Sequence, residues 1–296
     1  MKAIVIGSNG YIARHLVQAL IEQSIDVLPC GRNPVSIDHH PAYLQVDITD
    51  AQSVERLDLN ADIVFMFAGL TGTSIGFTKY EEYVRINQIG LLHVLDAIRR
   101  KNPSLKIVFP SSRLVYKGKK DVPLIESSEK EFKTLYALTK FSGEQTLEMY
   151  RNAFGLKYTI YRICVPYGTL LGSAYSYGTI GFMLGKAMSG ETITLFGDGS
   201  QKRTFTHIGD ICSAILETAF SKSTDNQTFN VGGETFSLHQ VASMIAKKYG
   251  VGVTYKEWNT LDFAIESGDT IFDSTKLDKL LSTPRCYRFQ DWLNSL

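Results

Sequence analysis

The chain has 296 residues, 44% of them hydrophobic, and carries 31 basic against 30 acidic side chains. So even a charge balance, with no Lys/Arg run, argues against nucleic acid or a membrane as partner, and no apolar run approaches the length of a bilayer span. Met1-Lys2 leads straight into an apolar segment, and Cys30, Cys164, Cys212 and Cys286 are scattered without metal spacing, so the expectation is a cytoplasmic protein with reduced thiols, no signal peptide and no metal site.

Short apolar strands alternate with helical patterns, which predicts an α/β fold built on a doubly wound parallel sheet. Ala3 to Ile6 reads as the first strand and runs into Gly7-Ser8-Asn9-Gly10-Tyr11-Ile12-Ala13, followed by a helix to about Glu22. Gly7 permits a tight turn. Gly10 lets a pyrophosphate approach the helix amino terminus, and the small Ala13 lets helix and strand pack closely. The second strand, Asp26 to Cys30, ends in Gly31-Arg32, where an enzyme using a non-phosphorylated dinucleotide usually places an acid for the ribose hydroxyl. A guanidinium suits a 2′-phosphate, so NADP(H) is favoured over NAD(H).

A third strand is predicted over Tyr43 to Val46. Asp47-Ile48 after it is placed to flank an adenine, with helix capping as the alternative for Asp47. Ile63 to Phe67 is a fourth strand, and Ala68-Gly69 offers the small surface a ribose needs. A helix over Tyr83 to Arg100 carries Asn87 near its start, and its apolar face of Val84, Leu91, Leu92, Val94 and Leu95 suits the sheet or a second subunit.

Ile107-Val108-Phe109 reads as a buried strand that leads to Ser111-Ser112-Arg113-Leu114-Val115-Tyr116. Tyr136 and Lys140 then stand four apart on a predicted helix and share one face. An ammonium beside a phenol is expected to lower its pKa toward working pH, making it a proton-transfer group for a carbonyl or carbinol oxygen. A strand-end serine can hold the same oxygen.

Together with Asn87-x-x-Gly90, Arg162-Ile163-Cys164, Tyr167-Gly168, Gly197-Asp198-Gly199-Ser200, Arg203, Phe205, His207 and Phe229-Asn230-Val231-Gly232, these motifs resemble the extended short-chain dehydrogenase/reductase superfamily, in its NAD(P)-dependent nucleotide-sugar epimerase/dehydratase branch. The resemblance implies a Rossmann lobe over 1–167 and a smaller substrate lobe over 168–296, with chain near 203–232 returning to the first. It also implies a homodimer acting on a nucleotide sugar. Ser112, Tyr136 and Lys140 would be catalytic. Gly7, Asn9, Gly10, Tyr11, Ile12, Arg32, Asp47 and Ile48 would hold the adenosine and pyrophosphate. Phe67, Ala68, Gly69, Asn87, Ser111 and Ile163, with Tyr136 and Lys140, would hold the rest of the cofactor. Substrate would meet Ser112, Arg113, Tyr136 and Arg203, the last at its diphosphate, unless Arg203 serves a structural ion pair.

Three departures narrow the activity. Arg113-Leu114 stand where dehydratases place Asp-Glu, Val165-Pro166 replace an expected Asn-Val, and Gly31-Arg32 replace the strand-end acid. The expectation is an NADP(H)-dependent reductase of a nucleotide-linked 4-keto-6-deoxy hexose. A nucleotide-sugar 4-epimerase is the alternative, and a non-catalytic dinucleotide sensor a weaker one.

Overall fold

The computed structural model describes residues 1–172 and 177–296. Its centre is a sheet of seven parallel strands: β1 (Lys2–Ile6), β2 (Asp26–Gly31), β3 (Leu44–Gln45), β4 (Ile63–Met66), β5 (Lys106–Ser112), β6 (Tyr158–Ile163) and β7 (Gln227–Asn230). They are ordered β7-β6-β5-β4-β1-β2-β3, so the winding reverses between β1 and β4. β4, β5 and β6 are buried throughout, so Ile63–Met66 and Ile107–Phe109 read as apolar runs rather than alternating ones, while Thr159 and Arg162 of β6 are buried polar residues.

Helices cover both faces. α1 (Tyr11–Glu22) lays Ala13, Leu16 and Leu20 on one, beside α4 (Ile208–Ala219) with Ile208, Ile211 and Ile215, against Val5, Phe65 and Tyr161. Against Ile6, Val64 and Ile107 on the other face pack α2 (Gly90–Lys101) with Leu91, Val94 and Leu95, and α3 (Leu135–Phe154) with Leu147 and Tyr150. Leu92 points outward and stays exposed. A further core joins Val165–Tyr167, Lys202–His207 and Glu234–Ser237, which form a three-stranded sheet, to the helices Gly178–Met188, Leu238–Tyr249 and Phe289–Ser295. No helix among the described residues is long and apolar enough to cross a membrane.

Two local expectations change. The predicted helix Tyr83 to Arg100 is interrupted: Tyr80–Val84 passes through a π-helical segment, Arg85–Ile89, before α2 begins. The wider turn carries Asn87, which accepts from Leu70 N (2.8 Å) and donates to Leu70 O (3.1 Å) and Thr139 Oγ1 (3.0 Å). The predicted strand Tyr43 to Val46 shrinks to Leu44–Gln45, because the Tyr43 backbone N–H closes a turn on His40 O (3.1 Å) instead of joining the ladder, while its hydroxyl donates to Asn33 O (2.8 Å).

Candidate active site

The carboxyl ends of the strands open onto a cleft of about 510 Å³, continued by a smaller hollow of about 190 Å³ beyond Gly69. This is the topological switch point of the sheet, where such folds take their ligands. The smaller hollow is walled by Gly7, Gly31, Arg32, Asp47, Ile48 and Ala68. Gly7 has φ +88, and a Cβ there would lie 2.4 Å from Ala68 N, so the crossing of the two turns requires glycine. At the head of α1 no side chain caps the helix and no acid occupies the first turn. Its leading residues Gly10, Tyr11 and Ile12 face the larger cleft at the positive end of a helix dipole, with the Gly10 N–H turned back to Gly7 O (2.9 Å). Ser8 Oγ, in the same loop, is buried without a hydrogen-bond partner. An anionic pyrophosphate suits this donor set.

A Cβ at Gly31 would sit 2.8 Å from the Tyr43 hydroxyl, so that hydroxyl occupies the space an acidic side chain would need. Arg32 beside it is exposed on the rim. Asp47 Oδ1 accepts from Thr49 N (2.9 Å) and Thr49 Oγ1 (2.8 Å), while Asp50 caps the short helix Ala51–Glu55, so capping there falls to Asp50.

Around the larger cleft, Ser112 ends β5, and its Oγ accepts from Leu114 N (3.2 Å), capping the 3₁₀ turn Arg113–Val115. Thr134 caps α3 through Ala137 N (3.1 Å), which sets Tyr136 and Lys140 on the first turns facing the strand ends. Lys140 Nζ donates to Pro110 O (2.8 Å) and lies 4.6 Å from the centre of the Phe109 ring. Burial lowers its pKa to about 8, opposed by the negative charge of Glu144.

The tyrosine departs from expectation. Burial, and then the neighbouring Tyr177 phenol, raise the Tyr136 pKa above its ordinary value, while the Ser112 hydrogen bond and the Arg113 charge pull against them. The expected lowering loses to desolvation, because the phenol sits in a poorly solvated wall and the ammonium is engaged with Pro110 O. At neutral pH the Tyr136 phenol is therefore protonated.

The expected site residues separate into cleft walls and supports. Gly10, Tyr11, Ile12, Phe67, Gly69, Ser111, Ser112, Arg113, Tyr136, Lys140 and Ile163 line the larger cleft. The Ser111 hydroxyl is committed behind the wall to Glu144 Oε1 (2.5 Å), itself paired with the buried Arg162 (2.5 Å). Asn9 accepts from Ile37 N (3.0 Å) and donates to Val35 O (3.1 Å), bracing the loop after β2, as Asn87 braces Leu70. Arg203 is only 2% exposed and is not among the cleft-lining residues. It pairs with Glu266 (2.5 Å) and donates to Gly268 O, so its guanidinium is spent inside the protein. The geometry thus presents the ion-pair alternative for Arg203 rather than a diphosphate contact.

Tyr177 is a wall residue that no motif announced. Its ring stacks on Tyr11 with centroids 4.4 Å apart. Glu266, Ser267 and Thr270, behind Arg113, gave no local signal either.

The model of the NAD dependent epimerase/dehydratase family matches residues 3–232. The chain is 27% identical over 254 residues to a putative UDP-glucose 4-epimerase of Methanocaldococcus jannaschii, covering 83% of this chain and 82% of that one. It is 26% identical over 258 residues to a UDP-N-acetyl-alpha-D-glucosaminuronate decarboxylase of Bacillus cytotoxicus, covering 82% and 79%. In fold it is similar to a UDP-glucuronic acid 4-epimerase of Bacillus cereus solved with UDP-glucuronic acid and NAD (TM-score 0.86, 24% identity, 99% and 97% covered). It is likewise similar to DesIV, a dTDP-glucose 4,6-dehydratase of Streptomyces venezuelae (TM-score 0.88, 20% identity, 100% and 95% covered). With the match spanning most of the chain and the sheet, the glycine turn and the Ser-Tyr-Lys wall assembled as described, this protein belongs to the NAD dependent epimerase/dehydratase family.

Proposed function

We propose that the protein is an NADP(H)-dependent reductase of a nucleotide-linked 4-keto hexose. The carrying observation is the rim of the smaller hollow: the Tyr43 hydroxyl takes the space of an acid at Gly31, and Arg32 makes no ion pair among the described residues. That pairing of absent acid and open guanidinium favours a 2′-phosphate. The uncapped head of α1 would hold the pyrophosphate, Asp47 and Ile48 the adenosine, and Lys140 and Ile163 the nicotinamide end. A bound reduced nicotinamide would supply hydride to the keto carbon as the carbonyl electron pair moves onto oxygen. Tyr136, protonated at neutral pH, gives that oxygen its proton, and Ser112 orients both. Lys140 supplies positive charge as Tyr136 becomes phenolate. Arg113 and Leu114 offer no acid–base pair, which speaks against water elimination.

A 4-epimerase is the second reading. It is supported by the epimerase relatives and by the NAD present in several of the similar structures. Cofactor titration separates the two. NADPH should bind about ten- to a hundredfold more tightly than NADH, toward the lower figure if solvent screens Arg32. Arg32→Ala should remove that preference while leaving NADH binding unchanged. A wild-type preference for NADH, or equal loss of both cofactors in the variant, gives the epimerase the better claim.

A further inference from the structure

Two neighbouring guanidinium groups, Arg113 in the cleft wall and Arg203 buried outside it, are provided for differently. Arg203 is buried and paired with Glu266, whose Oε1 also accepts from Gly268 N (3.0 Å). Arg113 follows Ser112 directly and lines the cleft with Tyr136, yet its partners are neutral hydroxyls, Ser267 Oγ (2.6 Å) and Thr270 Oγ1 (3.4 Å). Among the described residues it has no carboxylate partner. Two positive charges thus share one negative charge, and the surplus sits beside the candidate catalytic hydroxyls. Burial and the nearby Arg203 lower the Arg113 pKa to about 10, the mark of a cation short of compensation. A desolvated cation of this kind is stabilised when an anion arrives with its ligand, and a guanidinium grips a carboxylate through two parallel hydrogen bonds.

We propose that the substrate sugar carries a carboxylate, and that Arg113, held by Ser267 and Thr270, is its counter-ion in the cleft. The sugar class is then a hexuronate, in place of the methyl-bearing 6-deoxy hexose. The anion belongs on the sugar rather than on the diphosphate, because Arg113 is adjacent in sequence to Ser112 and acts electrostatically on the Tyr136 phenol. The proposal rests on the nucleotide-sugar reading and holds for reduction or epimerisation alike.

The test is calorimetric titration of the NADPH-loaded protein. UDP, dTDP, CDP and GDP are offered first. Glucuronate- and glucose-type sugars are then compared on the nucleotide that binds tightest, UDP-glucuronate against UDP-glucose if that is UDP. The carboxylate sugar should bind about ten- to a hundredfold more tightly. Arg113→Leu should erase the difference without weakening the bare nucleotide, and Arg113→Lys should restore part of it. Thermal melting of both variants separates a misfolded protein from a changed site. Equal affinity for the two sugars overturns the proposal alone. Loss of the bare nucleotide in a folded Arg113→Leu variant also overturns it, by assigning the arginine to the diphosphate. Failure of all four nucleotides to bind the wild type overturns the nucleotide-sugar reading itself.

Discussion

At the nucleotide end of the cleft, glycine or alanine at Gly7, Gly31 and Ala68 and the uncapped head of α1 bring backbone close to the hollow, with Arg32, Asp47 and Ile48 on its walls. The substrate end is walled instead by side chains brought from distant parts of the chain, Arg113 and Tyr136 with Tyr177 across from them and residues 266–270 behind. The nucleotide end is assembled from the short turns that follow β1 to β4 and requires glycine at position 7, and the proposed cofactor choice rests there on the Arg32 side chain. The side-chain end depends on long-range packing, and a single substitution there changes charge or proton supply. Under the proposed function, cofactor and substrate thus meet differently built ends of one cleft.

The contrast breaks most completely if the support behind the wall is removed. Glu144 holds the buried Arg162, whose Nη1 in turn donates to Tyr116 Oη (2.6 Å). Glu144→Gln leaves a guanidinium without its counter-charge in the interior, and chemical denaturation should register a loss of about 3–5 kcal/mol. Glu55→Gln, at the exposed pair with Arg100, should change the midpoint hardly at all. Similar losses at both positions would contradict the buried network as described.

Next in size is the proton donor. Tyr136→Phe keeps the ring and removes the transferable proton, so turnover should fall at least about a hundredfold, with cofactor affinity nearly unchanged. Near-normal turnover would remove Tyr136 from the chemistry. Such a result would leave the substrate end without its distinguishing group.

The smallest effect is in pH dependence. The Lys140 ammonium persists below its pKa of about 8 and is lost above it, so kcat/KM should decline on the alkaline side of pH 8. A required cation gives up to about tenfold per pH unit. Lys140→Arg, which stays charged, should flatten that limb even if the absolute rate falls. A limb that persists in the variant belongs to another group.

What sequence could disclose follows the same division. The α/β alternation, the glycine turn and the Tyr136–Lys140 spacing are short-range patterns set by backbone geometry, and each corresponds to an observed element. The π-helical turn at Arg85–Ile89 was invisible because its cause, the bonding of Asn87 to Leu70 and Thr139, lies across the fold. Desolvation of Tyr136 depends on how the cleft wall closes around it, which no spacing encodes, and so the sign of its shift was missed. The Arg203–Glu266 pair joins residues far apart in sequence, beyond any local motif.

The route of the chain to β7 bears on how the protein is made. β6 ends at Ile163, and its outer neighbour, Gln227–Asn230, is reached only after the chain has run through much of the further core. Asn230 also donates to Leu124 O (2.8 Å) and Asp273 O (3.2 Å), tying three separated segments together. On the ribosome the earlier strands emerge first and present β6 as a bare edge until residue 230 is released. Folding of the nucleotide-binding half therefore waits on the other half. Contacts this distant in sequence make that step slow, and the waiting edge is the place where the nascent chain is open to mispairing.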